Sequence, residues 1–439
     1  MVCSKEWIEK QWPSKIFFDP RIHRRALVVA EAFLNFPDRN IPKRFLSAGA
    51  TKGCYRFLSR TDMNHQKLQS AHWENVLEET SATKDRILFI QDGSELIYND
   101  HPWTAGLGHT ADSCGNGIMF HSCLAVKVEE DQPQVIGLAC QKAWIRTEKK
   151  TEKSESDVWL EMIKSIGQPP KGCSWISVGD RGSDIFSYVE GMNDLGWDCV
   201  IRSKHDRTIC VAGKEVKLKS HIRSLPAMTK FEYKLRARPG VCSREIMLQV
   251  SWIQAELIPP SKEKHKKPID GSYIRVWCEE DSNIEWILFT MSPVISKEEA
   301  IEIVRIYNRR WIIEEYHKCL KTGCKIEDAQ LQSANNLMNL FGMLGVIATQ
   351  LLQIRDLSRM KGSEDAEEHV EKLCVRLVEK IYKISIPLTL KEFWRRVAML
   401  GGFLGRKSDG NPGWQTIWHG WLRLQDMCRG AKLFFDSEI

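Results

Sequence analysis

Apolar residues recur at helical spacing through residues 21–36, at Leu27, Ala30, Ala32 and Phe33, directly after Asp19-Pro20, and this predicts one helix. Prolines at Phe36-Pro37 and Ile41-Pro42 break the pattern. A second helix is predicted over residues 48–58, with Lys52, Arg56 and Arg60 recurring at four-residue intervals along one side. From residue 86 the period shortens. Ile87-Leu88-Phe89-Ile90 is a compact apolar run, and the turn-prone Gly115-Asn116-Gly117 that follows implies a hairpin. Residues 118–128 and 135–145 alternate as strands around turn residues Asp131, Gln132 and Pro133. A charged loop at 147–157 leads to helix 158–166, strand 175–178, helix 185–195 and strand 199–202.

Three meandering strands followed by alternating helices and strands are what a mixed ribonuclease-H-like α/β sheet requires. Residues 208–290 then read as strands, at 233–238, 246–252, 273–278 and 286–289, an all-β insertion in that sheet. After Pro293 helices dominate. One of them opens at Ser296, which forms a capping box with Glu299, and ends near Thr322-Gly323. Three regions are expected: helices at 1–63, the mixed sheet with its insertion at 64–370, and further helices at 371–439.

Composition narrows this picture. With 439 residues, 43% hydrophobic and 27% charged, the chain is globular and large enough for several domains. The net charge of +6 is unevenly placed: the first 60 residues carry +7 and the remainder −1. A local positive footprint suits a polyanion such as DNA, although a solvated basic face has the same composition. The fourteen cysteines are scattered without C-x-x-C or finger-like His spacing, so they read as free thiols of a reducing cytoplasm. Residues 1–10 lack the apolar core of a signal peptide, and the most apolar stretch, 337–354, carries Asn339, Thr349, Gln350 and Gln353. That stretch is expected to be a buried helix in a soluble protein with no membrane association.

Asp92 follows the apolar run of the first strand and Asp180 follows strand 175–178, so both carboxylates are expected at or near strand ends. Carboxylates so placed can chelate Mg²⁺, and paired ions can run phosphodiester chemistry; each aspartate alone is equally a turn or cap residue. In the helix after Ser296, Tyr307, Arg310, Glu314 and Lys321 project within an arc of roughly 60°, so all four side chains are expected to line one face. Ile312, Ile313, Tyr316 and Leu320 form an opposite apolar side, toward which Arg309 also falls. A carboxylate beside a guanidinium, an ammonium and a phenol suits phosphate, while a solvated face with ordinary ion pairs has the same spacing.

The text from Tyr307 to Gly323 resembles the Y-x-x-R-x-x-x-E-x-x-x-x-x-x-K signature of bacterial cut-and-paste DDE transposases of the insertion sequence four family. Ile90-Gln-Asp92-Gly-Ser is similar to that family's first-aspartate segment. Val178-Gly-Asp180-Arg-Gly-Ser-Asp184 and Val200-Ile-Arg202-Ser-Lys204-His205 are similar to its second-aspartate segment and the following strand. Weaker echoes at Asp19-Pro20-Arg21, Gly53-Cys-Tyr55-Arg56-Phe57 and Gly401-Gly-Phe403 fall in the family's order, so the resemblance spans nearly the whole chain. It departs at Arg181-Gly182-Ser183, where the best-known member has Arg-Glu-Ala, and in a shorter C-terminal part.

The resemblance implies Asp92, Asp180 and Glu314 as catalytic metal ligands for Mg²⁺, with Mn²⁺ able to substitute. It implies Tyr307, Arg310 and Lys321 as phosphate contacts and Trp286 as the platform for a base flipped out during hairpin formation. Lys318, Arg202 and Lys204 near the site, and Arg21, Arg24, Lys52, Arg56 and Arg60 in the basic N-terminal segment, are the further expected DNA contacts. The expected partners are transposon terminal inverted repeats, target DNA and a second copy of the chain in a synaptic complex, with the C-terminal helices pairing subunits. A bacterial cytoplasmic location, associated with the nucleoid through DNA, follows. Trp414, Trp418 and Trp421 form a helical stripe that suits either that pairing or an internal core. The competing readings are a nuclease of the same fold that cuts without joining, and a DNA-binding relic that has lost catalysis.

Overall fold

The computed structural model describes residues 5–110, 115–129, 132–147, 154–235, 244–360, 362–406 and 409–436. Its centre is one 12-stranded mixed sheet. The parallel strands β1 (Arg86–Ile97), β5 (Ser174–Gly179) and β6 (Asp198–Arg202) form the middle. Helices cover both of its faces, which is why these strands read as continuous apolar runs rather than alternating ones. On one side β3 (Asn116–Glu129) pairs antiparallel with β1, assisted by the two-residue β2 (Gly108–His109), and β4 (Gln132–Trp144) pairs with β3.

On the other side the insertion joins the same sheet through β12 (Glu285–Thr290), which pairs antiparallel with β6. It continues through β11 (Ile269–Cys278) and β10 (Arg244–Leu257) to β7 (Thr208–Val211), β8 (Lys214–Lys217) and β9 (Thr229–Leu235). The insertion is not purely β, because α8 (Leu218–Ser224) buries Leu218 and Ile222 against it.

Strand alternation divides the interior into two cores. Leu88 and Ile90 of β1 and Ile176 and Val178 of β5 face one, and Ile87, Phe89 and Trp175 face the other. α6 (Val158–Ile166), α7 (Phe186–Asp194) and α8 cover the second face. The first is covered by α9 (Lys297–Asn308) across β5, β6 and the insertion, α10 (Trp311–Lys318) across β1 and β3, and α11 (Ala334–Met360) beside β4.

At the N-terminus lie α1 (Lys5–Gln11), α2 (Pro20–Asn35), α3 (Ile41–Arg44), α4 (Ala48–Leu58) and α5 (His65–Ala82). Asp19 and Ser47 cap α2 and α4 through their side chains, fixing starts that the sequence announces. α5 is not predicted by apolar spacing, because its inner face is partly polar: His65, Gln69 and His72 are buried on it. His72 bonds Gln11 Oε1 at 2.6 Å and the Leu138 backbone N–H at 3.0 Å.

Three other expectations change. β1 runs through Asp92 to Ile97, and the connection to β3 is long, so Gly115-Asn116-Gly117 begins a strand rather than making a tight hairpin. The predicted helix over 296–323 keeps its Ser296–Glu299 capping box but is interrupted twice. It tightens at Arg309–Arg310, where Arg310 N–H bonds Tyr307 O at 3.0 Å, and widens into a π turn at Cys319–Gly323. Residues 130–131, 148–153 and 236–243, which hold turn residue Asp131, part of the charged loop and the end of predicted strand 233–238, lie outside the described residues.

Helix α11 is long and apolar enough to cross a membrane, but 89% of that window is buried inside the fold. Its polar residues tether it: Asn339 donates to Leu58 O at 2.9 Å and Arg60 O at 3.1 Å, and Gln353 to Ile136 O at 2.5 Å. The chain ends in α12 (Ala366–His369), α13 (Lys372–Tyr382), α14 (Leu390–Leu400) and α15 (Trp414–Asp436). The tryptophan stripe of α15 is core: Trp414, Trp418 and Trp421 are buried, and Trp421 packs on Trp394 at 5.2 Å. Phe36, at the end of α2, lies between the guanidinium groups of Arg39 and of Arg429 from α15, at 4.1 and 4.2 Å. Trp418→Ala is therefore expected to destabilise the folded chain by about 3–5 kcal/mol in urea unfolding. A variant that kept its stability and lost only self-association would overturn the assignment to the core.

Candidate active site

Asp92 continues the row Leu88, Ile90 along β1, and Asp180 continues Ile176, Val178 just past the end of β5. The last paired residues of the two parallel strands are Ile90 and Val178. Two residues beyond that pair, both aspartates point to the face that α10 covers. Asp92 therefore sits inside its strand, opposite Ser122 of β3, and only Asp180 stands at a strand end. The carboxylate of Asp180 accepts the Gly182 backbone N–H at 2.7 Å, capping a short 3₁₀ turn, and that of Asp92 accepts the Gly93 N–H at 2.9 Å.

Glu314 comes from the first turn of α10. Between it and Asp92 lies Arg310, with Nη2 at 2.5 Å from Glu314 Oε1 and Nη1 at 3.5 Å from Asp92 Oδ2. The structure thus brings Asp92, Asp180, Arg310 and Glu314 together. Burial, then the charge of Asp180, push the Asp92 carboxyl up to about 7 against the opposing pull of Arg310, and Glu314 adds to the rise. One guanidinium leaves this group of acids short of positive charge, and an all-oxygen donor set of this kind fits a hard divalent cation.

Tyr307 is buried beside Arg310, its hydroxyl near Arg202, and burial raises its pKa so that it remains a neutral phenol. Its ring lies 5.7 Å from that of Trp286, which Tyr233 meets edge-on at 6.1 Å. Arg202 donates to Glu285 O at 2.9 Å, between β6 and β12. Lys321 lies within the π turn, and its ammonium is 3.8 Å from Glu327. Arg309, which the apolar side left unexplained, is almost buried and lies 3.9 Å from Glu302.

Lys318 and Lys204 are exposed, and the Lys204 backbone N–H bonds Asp184 at 2.7 Å. Arg24 on α2 and Lys52 and Arg56 on α4 are exposed, on helices that pack on each other and on α11. Arg21 is tied to Asp19 at 2.8 Å. Arg60 lies beyond the end of α4 and pairs with Asp62 at 2.7 Å, so it does not continue the Lys52, Arg56 row.

Three neighbours escape a reading of the sequence. Asn308 accepts the Tyr233 hydroxyl at 2.5 Å, joining the insertion to the tightened turn. His317, one turn after Glu314, is buried with its pKa pushed down to about 3 by desolvation and by Lys321, so it is neutral. Gln141 is buried among polar side chains beneath α10. No local motif marks any of them.

A carboxyl raised above its unfolded value binds more protons in the native state, so its contribution to stability falls as pH rises from about 4 to about 7. In metal-free chain, Asp92→Asn is expected to gain stability over the parent across that window, by roughly 2–4 kcal/mol at pH 8 and almost nothing at pH 4. Urea unfolding in chelator at both pH values measures this, and a pH-independent difference would contradict the charge crowding.

Residues 4–63 match the family described as transposase DNA-binding, residues 150–351 the transposase DDE domain, and residues 346–436 the transposase Tn5 dimerisation domain. Asp180 and Glu314 fall inside the DDE match, and Asp92 lies ahead of it. Among solved structures, the chain is similar to a cryo-EM structure of the piggyBac transposase synaptic complex with hairpin DNA, at 9% identity, over 82% of this chain and 73% of that one, with a TM-score of 0.37. With a DNA-binding region, a DDE domain and a dimerisation region matched in that order, the chain belongs to the Tn5-like DDE transposases of the insertion sequence four family, dimeric enzymes that use divalent metal to cleave and transfer DNA.

Proposed function

We propose that Asp92, Asp180 and Glu314 are the metal ligands of this cut-and-paste transposase, with Mg²⁺ as the ion and Mn²⁺ able to replace it. The observation that carries the reading is that Arg310 bridges Asp92 and Glu314 while the charge of Asp180 reaches Asp92, whose carboxyl is raised to about 7. A pair of divalent ions bound there would activate an attacking oxygen and stabilise a leaving one. In the proposed reaction, water attacks the phosphodiester at a transposon end and releases a 3′-hydroxyl. That hydroxyl attacks the opposite strand to form a hairpin. Water reopens the hairpin, and the regenerated 3′-hydroxyl joins target DNA. Each step exchanges one phosphorus–oxygen bond for another, and no covalent link to protein is needed.

The chain's own groups then divide the work. Arg310, which is almost buried beside two of the acids, offers a forked donor to the phosphate next to the reacting bond. Tyr307 contributes a neutral hydroxyl donor, and Arg202, Lys204, Lys318 and Lys321 contribute positive charge along the path of the duplex. Trp286 is half-buried on β12 against Tyr307, where an unstacked base could lie on its ring. Arg24, Lys52 and Arg56, on the exposed sides of α2 and α4, are assigned to the end sequence, with Arg21 and Arg60 available once released from Asp19 and Asp62.

Asp180→Ala is expected to lower Mg²⁺-dependent end cleavage about a thousandfold or more while leaving end binding intact. Denaturing gels and a binding titration on the same terminal repeats measure the two, and undiminished cleavage would remove Asp180 from the site. On the same gels, Trp286→Ala should slow hairpin formation more than the first nick. Equal slowing of both would argue against base stacking, and nicks without hairpins or joined products in the parent would indicate a nuclease.

A further inference from the structure

Asp92 of β1 is paired with Ser122 of β3, and Ser122 with Gln141 of β4, so the three form one row across the sheet on the face that α10 covers. Gln141 is buried and fully bonded. Its Oε1 accepts from Gln69 Nε2 and His65 Nε2 of α5, each at 2.9 Å, and its Nε2 donates to Ser122 Oγ at 2.8 Å and to the Tyr316 hydroxyl of α10 at 3.0 Å. The Tyr316 hydroxyl in turn donates to Gly345 O of α11 at 3.2 Å. Every side chain in this group is buried. Gly345 leaves the room it needs: a Cβ there would lie 2.5 Å from Gln69 Nε2, 3.1 Å from Gln141 Oε1 and 3.4 Å from Tyr316 Oη.

Tyr316 stands two residues after Glu314, about 200° around the helix, so one side chain faces the core while the other faces the carboxylates. Fixing Tyr316 from below therefore sets the rotation and height of α10. We infer that Gln141 is a positioning residue for the metal site: through Ser122 and Tyr316 it locks the helix carrying Glu314 against the strand pair carrying Asp92. The inference rests on the proposed ligand set. Binding two ions close together tolerates errors of only about 0.5 Å in ligand placement, which apolar packing alone does not enforce along a helix axis. A glutamine with four directed bonds does, and any rotation of α10 would leave several buried polar groups unpaired at once.

The test compares Gln141→Met, which removes all four bonds, and Tyr316→Phe, which removes the arm to α10 together with the hydroxyl's bond to Gly345 O, with Gln353→Met. The last cuts a different bond between α11 and β4, from Gln353 Nε2 to Ile136 O, and does not reach α10. Full-length protein is titrated with Mn²⁺, reading free Mn²⁺ by electron paramagnetic resonance, at a temperature where thermal unfolding shows every variant folded. Gln141→Met and Tyr316→Phe are expected to weaken Mn²⁺ binding about tenfold or more. They should lower kcat for nicking with KM for end DNA unchanged, while Gln353→Met keeps parental Mn²⁺ affinity despite a lower unfolding temperature. Mn²⁺ affinities in the first two that match Gln353→Met would overturn the inference. Asp180→Asn separates the two levels: if it binds Mn²⁺ as the parent does, the ligand set itself is wrong and the inference falls with it, whereas its loss beside an unaffected Gln141→Met removes only the positioning role.

Discussion

Carboxylates at close quarters repel one another, and the arrangement of this chain follows from where that repulsion is tolerated. Asp92 and Asp180 stand side by side because two parallel strands are in register, and Glu314 is brought over them by a helix pinned to the same face. In the free chain a single guanidinium, Arg310, touches two of the acids, and Asp92 responds by favouring its proton. A fold that paid this electrostatic penalty without function would be stabilised by losing Asp92. The surrounding cores must therefore be large enough to absorb it, and a sheet with apolar packing on both faces provides that excess.

The two faces of the sheet are not equivalent. One is closed by the short helices α6, α7 and α8 and packs conventionally. The other is closed by the run from α9 to α11, in which the backbone tightens before Glu314 and loosens after it. Those departures from regular helix turn Tyr307 toward Trp286 and the insertion, Arg310 toward the acids, and Lys321 toward Glu327. The insertion is part of this wall, because β12 extends the central sheet from β6 and places Trp286 beside Tyr307.

Much of this was legible in the residues, for physical reasons that differ from element to element. Helix 48–58 was readable because cap and apolar period agree, helix 158–166 from its apolar period alone, and the Ser296 capping box is present as expected. Strands β5 and β6 announce themselves as short buried runs. Helix α5 does not, since His65, Gln69 and His72 satisfy buried polar groups elsewhere and so weaken its apolar stripe. The extent of β1 past Ile90 was hidden because its residues turn polar where the site begins. A straight-helix projection grouped Tyr307, Arg310, Glu314 and Lys321, but hydropathy is blind to the tightened turn before Glu314 and to the π turn that holds Lys321. The role argued for Gln141 depends on cross-strand register and on a glycine 204 residues away, neither of which any local window contains.

The acids are also far apart along the chain. Asp92 and Glu314 are separated by more than half its length, and Asp92 precedes the segment that matches the DDE domain. Contacts of such long range form slowly, after the local helices have folded. A ribosome that has made the N-terminal helices and both aspartates has still made no complete site, because the glutamate, the arginine between the acids and the glycine beneath them all come later. With the proposed ligand set, order of synthesis acts as a safety catch: a chain interrupted before α10 can carry the helices that match the DNA-binding family, but it lacks the third of the proposed metal ligands.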